Sequence, residues 1–364
     1  MSHIDDLIEE LCPDGVEHRP LGQLVRIRNG RDHKHLGEGT TPVYGSGGIM
    51  RYVDSSLAEG PSVLIPRKGS LGNIFYVEGS FWNVDTIFST EVDTSAIIPK
   101  FLYHVLLTMR LGEMNQAGGV PSQTQAVLGA LRIPVPPLAV QQEIVRILDK
   151  FTALEAELAA ELAARKKQYE HYRAQLLRSG DGIATAPLGT LAVNLDGQRR
   201  PIAKGARIPG QTPYFGASGI VDYVDGHIFD GDFLLVSEDG ANLLARSTPI
   251  AFSASGKIWV NNHAHVLQFD TYSERRYAEL YLNSIDLTIY ISSAAQPKLN
   301  QANLNRIPVP CPSRDEKVFI VDILDKFDAL VNDLSVGLPA ELAARRKQYE
   351  YYRDRLLTFK ELAA

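Results

Sequence analysis

Apolar positions recur with helical spacing along two stretches of the chain. In the first, Ile147, Phe151, Leu154, Leu158, Leu162, Tyr169, Tyr172 and Leu176 advance in steps of three, four or seven, with Ala, Glu, Lys and Arg between them. This is an apolar seam on one long helix. At about 1.5 Å per residue, residues 138–177 predict a rod of about 60 Å, and Pro134, Pro136 and Pro137 bar helix from its entry. The second stretch repeats the seam with Ile323, Phe327, Leu330, Leu334, Leu338, Leu342, Tyr349, Tyr352 and Leu356. Phe151 lies 14 residues before Arg165, whereas Phe327 lies 18 before Arg345, and the added segment holds Gly337 and Pro339. A kink is expected near 335–339.

Between and before these stretches the pattern changes to short alternating runs with Gly-rich turns. SVLIP (62–66), NIFYVEG (73–79), DTIFSTEV (85–92), DFLLVSEDG (232–240) and KIWVNNHAHVLQF (257–269) read as strands. FLYHVLLTM (101–109) and YAELYLNSI (277–285) read as one short helix in each globule.

The chain is written twice. Residues 161–177 (ELAARKKQYEHYRAQLL) and 341–357 (ELAARRKQYEYYRDRLL) agree at 13 of 17 positions. ILDKF (147–151) recurs at 323–327, RIPVP (132–136) at 306–310, TPVYGSGGIMRYVD (41–54) as TPYFGASGIVDYVD (212–225), and PLGQL (20–24) as PLGTL (187–191). The order is the same in both halves, which predicts a pseudo-twofold internal repeat. The fold class is therefore α+β: two similar α/β domains separated by two long antiparallel helices forming a coiled coil. The expected divisions are 1–132 and 179–307 for the domains, and 133–178 and 308–364 for the helices. Antiparallel pairing follows because the segment 178–187 is too short for the return that parallel pairing needs.

Composition narrows the function. Lys and Arg number 37 against 43 Asp and Glu, a net charge of −6, so bulk charge does not drive binding to nucleic acid or anionic lipid. The first dozen residues are acidic, without a signal-peptide pattern, and no apolar run is long enough for a membrane span. Two cysteines, Cys12 and Cys311, suit a reducing cytoplasm and make no disulfide framework. Two inverted globules at a fixed separation have the geometry of a dimeric DNA reader; here the two readers differ in sequence, so the target would be bipartite and asymmetric.

LCPDGV (11–16), the YGSGGI and FGASGI turns, RKGSLGN (67–73), RIPVP, ILDKF and the doubled KQYExYR signature together resemble the specificity subunit of a type I restriction-modification system. The resemblance covers nearly the whole chain, in order and in both halves. It implies two target recognition domains on a helical spacer, double-stranded DNA as ligand, two methyltransferase (modification) subunits as partners, and a place for restriction-translocase subunits. The tandem AELA at 156–163 resembles the short repeats that set spacer length in that family; one unit is about 6 Å, close to two base pairs of rise.

Candidate DNA-binding residues fall in matching loops. Arg28, Arg31 and Lys34 in the first half, and Arg199, Arg200 and Lys204 in the second, form local basic loops suited to phosphate contact. The glycine turns read first as tight turns and second as close approach to phosphate; on the second reading Tyr44, Ser46, Phe215 and Ser218 join the candidate surface, with Tyr44 and Phe215 equally at home in the core. Arg67-Lys68-Gly69-Ser70 aligns with Glu238-Asp239-Gly240-Ala241, a charge reversal at one loop position. A base-reading loop explains it, since Arg and Lys suit guanine while a carboxylate accepts from cytosine N4; surface drift also would. Asn73, Asn242, Gln123, Gln125, Lys298, Asn300 and Gln301 complete the polar set.

Tyr169, Tyr172, Arg173, Tyr349, Tyr352 and Arg353 at the helix ends suit subunit binding, against the alternative of a solvated basic face. His33-Lys34-His35 and His263-Ala264-His265 have two-ligand spacing but lack further ligands, so no metal is expected. No nucleotide loop, methyl-donor loop, NPPY-type tetrapeptide or nucleophile triad is present, so the chain is read as non-catalytic and cofactor-free. The alternatives are a nuclease using Glu238 and Asp239 as magnesium ligands, or a coiled-coil scaffold with protein-binding globules.

Overall fold

The computed structural model describes residues 3–114, 121–178, 183–292 and 297–362. The chain divides into two compact units, Met1–Ala159 with Glu341–Ala364, and Ala160–Ala340. Among the described residues no helix is long and apolar enough to cross a membrane.

The first unit holds two four-stranded sheets. One runs in the order Val25–Arg28, Ile87–Val92, Ser62–Pro66, Phe75–Val77; the other Gly48–Val53, Glu38–Gly45, Ser80–Asn83, Ala58–Glu59. Ser62–Pro66 is buried along its whole length. Helix α1 (Pro99–Thr108) sets Phe101, Leu102, Val105 and Leu106 against Val63, Ile65 and Phe88 in one apolar core. In the second unit the same arrangement is one six-stranded sheet, in the order Val193–Asn194, Ala264–Gln268, Phe229–Ser237, Ala251–Val260, Pro209–Gly216, Gly219–Val224. The difference has a local cause. Ala251–Val260 is a single ten-residue strand pairing on both sides, whereas its counterpart in the first unit is split into Phe75–Val77 and Ser80–Asn83 at Glu78-Gly79.

Helix α2 (Leu138–Leu176) is continuous over 39 residues, contributing its first part to one unit and its second to the other. Its start is fastened by the buried Gln141, whose Oε1 accepts from the Ile98 N–H while its Nε2 donates to the Ala96 and Pro136 carbonyls. Helix α3 (Tyr272–Ser284) is the second unit's counterpart of α1. Helix α4 (Arg314–Asn332) opens on a capping box between Ser313 and Glu316. The second helical stretch then breaks, resuming as α5 (Leu338–Leu356). Gly337 is required at the break, because a Cβ there would lie 2.4 Å from the Ala329 carbonyl oxygen.

The repeated motifs explain the packing. In ILDKF, Leu148 and Leu324 are fully buried. The aspartate binds the domain helix: Asp149 pairs with Lys100 at 3.0 Å, and Asp325 with Arg276 at 2.7 Å. Arg276 also reaches Asp328 at 2.7 Å and Glu279. The phenylalanine stacks on the tyrosines of the KQYExYR signature written in the opposite half of the sequence. Phe151 faces Tyr352 with ring centroids 5.4 Å apart, and Phe327 faces Tyr169 and Tyr172 at 6.4 and 5.6 Å. In the first unit Glu155 also meets Arg346 at 2.6 Å, so α2 ascends as α5 descends and the two are antiparallel.

His104 on α1 is 1% exposed, with Nδ1 3.1 Å from the Tyr349 hydroxyl and Nε2 3.8 Å from Asp149. Burial lowers its pKa to about 4 from 6.5, outweighing the attraction of Asp149. Between those two pH values the unfolded chain binds a proton that the folded unit refuses, so stability falls as pH falls through the window. The full effect is about 3 kcal/mol. Trp82 and Trp259 are the chain's only tryptophans, one in each unit, so Trp82 fluorescence in a Trp259→Phe background should report this loss between pH 6.5 and 4. His104→Leu, which installs the residue found at the equivalent position 280, should flatten it.

Candidate nucleic-acid interface

In each unit three separated segments close into one surface. In the first, Lys68 and Ser122 form an antiparallel bridge. The Gly69 N–H donates to the Pro121 carbonyl and the Gln123 N–H to the Arg67 carbonyl. In the second, Asp239 and Lys298 form the same bridge, the Gly240 N–H donates to Pro297, and the Leu299 N–H donates to Glu238. The glycine turn joins on one side: the Asn73 amide donates to the Ser46 carbonyl at 3.1 Å, and the Ser237 hydroxyl donates to the Ala217 carbonyl. The basic loop joins on the other side. Trp82 Nε1 donates to the Arg31 carbonyl and Trp259 Nε1 to the Arg200 carbonyl, at 2.9 and 2.6 Å.

The charge reversal at positions 67 and 238 is matched by the strand beneath. Pro66 pairs with Ile87, and Ser237 with Ala264, which places Phe88 and His265 at equivalent positions. The Arg67 guanidinium lies over the Phe88 ring at 5.6 Å, a cation over a π face. Glu238 Oε2 lies 3.8 Å from His265 Nδ1. Both nitrogens of the buried His265 face acceptors, Asp196 Oδ2 at 2.6 Å and the Leu299 carbonyl at 2.7 Å.

Arg199 reaches Glu238 at 2.5 Å and Asp196 at 3.5 Å, and Lys298 reaches the other oxygen of Glu238 at 3.0 Å. Burial works against ionisation of Glu238, but the bonds from Arg199 and Lys298 outweigh it and hold its carboxyl below the usual range. Asp196 is likewise held low, against its burial, by His265, the Val266 N–H and Arg199. Ligand atoms of Asp196, Glu238 and His265 lie within 4.8 Å of one another, yet the guanidinium of Arg199 spans the two carboxylates where a metal would have to sit.

Several expected contact residues find partners within the fold. Glu238 and Arg199 pair with each other, both largely covered. Arg28 is spent on a two-pronged pair with Glu91 across neighbouring strands, at 2.8 and 3.0 Å. Phe215 is buried and stacked on Phe252, and Tyr44 is half-buried against Phe75; neither is a stacking platform. Gln123 is buried and donates to the Leu111 carbonyl. Asn242 folds back on Thr248 and Ser247, and Asn300 caps the short helix Gln301–Asn305.

Arg31, Lys34, Lys68, Ser70, Asn73, Gln125, Arg200, Lys204, Ser218, Lys298 and Gln301 are exposed, and Arg67 and Ser46 partly so. Arg31 and Gln125 line an open cleft of about 960 Å³ with Arg26 and Arg28. Asp239, itself largely covered, meets Nδ1 of the half-exposed His263 at 2.9 Å. Asp196 and His265, which hold the second surface together, were not among the expected site residues. His265 stood out in sequence only through the His263-Ala264-His265 spacing, and Asp196 through Asp196-Gly197, which repeats the turn signature of Asn29-Gly30.

The helix-end residues make contacts within their units. Tyr169 and Tyr352 stack inside their units on Phe327 and Phe151, Tyr349 approaches His104, and Arg353 lies over Tyr349 at 5.7 Å. Arg173 is mostly covered, beside Glu170. On the signature, Tyr172 at 37% and Tyr351 at 63% remain exposed. The stacked tyrosines help to close each unit.

Each α/β unit thus carries the same loop surface, built from corresponding segments. The chain matches the type I restriction modification DNA specificity domain over residues 13–164 and 188–344, and it belongs to that family. It is similar to a Haemophilus influenzae protein named as a type I restriction enzyme specificity subunit, 36% identical over 190 residues, covering 51% of this chain and about half (49%) of that relative. A type I restriction enzyme specificity subunit of Escherichia coli is 30% identical over 301 residues, 74% of this chain and 73% of that one. The fold resembles the crystal structure of a type I restriction-modification S subunit from M. genitalium, with a TM-score of 0.62, 17% identity, and coverage of 94% of this chain and 96% of that chain.

Glu238→Ala should strand Arg199 and Lys298 and destabilise the second unit by roughly 3 kcal/mol. Asp239→Ala, which loses a pair with the half-exposed His263, should cost under about 1 kcal/mol. Denaturant unfolding followed by Trp259 fluorescence in a Trp82→Phe background separates the two.

Proposed function

We propose that the chain is the DNA sequence-specificity subunit of a type I restriction-modification complex, reading a bipartite, asymmetric double-stranded target with one loop surface per half-site. The observation that carries this reading is that one three-segment surface is built twice on matching backbone bonds, with different side chains at its bridging positions. Lys68 and Ser122 stand in the first where Asp239 and Lys298 stand in the second. A constant frame with exchanged polar groups is what readout of two different half-sites requires. Arg31, Lys34, Arg200 and Lys204 flank the surfaces and supply phosphate contacts.

The chain itself is non-catalytic on this reading and works with methyltransferase and restriction subunits. The nuclease alternative is disfavoured by the charges already bound to its proposed ligands: Glu238 carries Arg199 and Lys298, and Asp239 carries His263. A protein-binding scaffold leaves the matched but divergent loop surfaces without a role.

Exchange of residues 187–306 for another recognition domain, in a strain carrying the modification partner, should change one half of the methylated motif and preserve the other. Base-modification mapping across the genome checks this, and change in both halves refutes the division of labour. Insertion of one further AELA after residue 163 adds about 6 Å of helix and should lengthen the unread spacer, again by mapping, with both half-sites intact.

A further inference from the structure

Each unit carries one hairpin whose outer strand is apolar and exposed. Gly48–Val53 (GIMRYV) and Gly219–Val224 (GIVDYV) have the same alternation of covered and open positions. Ile49, Met50 and Tyr52 are 49%, 58% and 52% exposed; Ile220, Val221 and Tyr223 are 48%, 54% and 52% exposed. Scattered surface hydrophobes need no explanation, but the same three positions of one hairpin, open in both units, are a patterned feature. The inward position between them changes freely, Arg51 in one and Asp222 in the other, while the outer ones stay apolar.

The hairpins are built to hold these side chains. Gly45 leaves room for Met50, whose Sδ would lie 2.7 Å from a Cβ at that position, and Gly216 leaves room for Val221, whose Cγ1 would lie at 3.1 Å. Both turns close through a glycine of positive φ, +116° at Gly48 and +117° at Gly219. The tips are tied into the loop surfaces described above. Ser46 accepts from Asn73 and donates its N–H to Thr86 Oγ1, and Ala217 accepts from Ser237. The apolar strand is thus continuous with the polar loops and fastened to them.

We infer that these hairpins are DNA-contacting elements, with Ile49 and Met50 in one half-site, and Ile220 and Val221 in the other, determining specificity through apolar contact with base edges, the thymine methyl foremost. This rests on the DNA-reading function proposed above. Polar loops discriminate donors from acceptors in the groove, and the methyl group of thymine is the one feature there that an aliphatic side chain recognises. DNA is the occupant because the hairpin shares its fastening residues with the candidate interface.

The test co-expresses the full chain with its modification partner in a methylation-free host and maps modified bases across the genome, alongside co-purification of the partner. Ile49→Ser/Met50→Ser should relax a T·A position in one half of the motif, with discrimination falling roughly tenfold, and leave the other half unchanged. Ile220→Ser/Val221→Ser should do the reverse. Ile49→Leu/Met50→Leu should retain the motif, and unchanged unfolding transitions of the serine variants separate contact from folding. An unchanged motif at unchanged occupancy overturns the inference, as does loss of the co-purifying methyltransferase subunit, which would make the hairpin a protein dock. Absence of any bipartite motif with the wild-type chain overturns the DNA-reading function, and this inference with it.

Discussion

The packing of ILDKF against KQYExYR is the constraint on which the rest of the structure depends. Each ILDKF copy performs three tasks within two turns of helix: a leucine enters the core, an aspartate pairs with the domain helix, and a phenylalanine stacks on tyrosines of another helix. One short motif therefore joins a domain to a helix and that helix to its antiparallel neighbour. Since the tyrosines come from the other half of the sequence, neither half closes a unit alone. The compact units are accordingly offset from the written repeats, with residues 341–364 belonging to the first unit and 160–177 to the second.

The loop surfaces show how one frame carries opposite charges. A cation over Phe88 and a carboxylate beside a histidine are both favourable local solutions, and the strand register that places them is the same. Reversing the loop residue alone would set a carboxylate over the Phe88 π face or replace the carboxylate that pairs with Arg199 and Lys298 by a third cation, so loop and strand vary together. In the second surface the two carboxylates are paired with Arg199 and Lys298 and lie beside His265. Removing the largely covered Arg199 leaves buried carboxylate charge without its main partner.

Much of the architecture was legible in the residues. The 3.6-residue periodicity and the flanking prolines marked the long helix, because amphipathic spacing and the missing proline N–H act locally. The doubled motifs marked two similar α/β domains and antiparallel helices, and the family followed from them. The candidate site was legible only as far as its loops. Arg28, Arg199, Glu238, Gln123 and Phe215 look like contact residues in sequence, but each is spent on a partner at least 12 residues away, and such pairings leave no mark in local pattern.

By itself, then, the sequence determined the elements, their repetition and the loops in which the two halves diverge, since these follow from hydrophobic period and turn chemistry. The tertiary structure alone decided which charges face solvent and which neutralise one another, and which helix-end tyrosines stack within a unit. The physical reason is that burial and ion pairing depend on distances between segments. Asp196 meets His265 across 69 positions, and His104 meets Tyr349 across 245, separations that only the folded chain brings within a hydrogen bond.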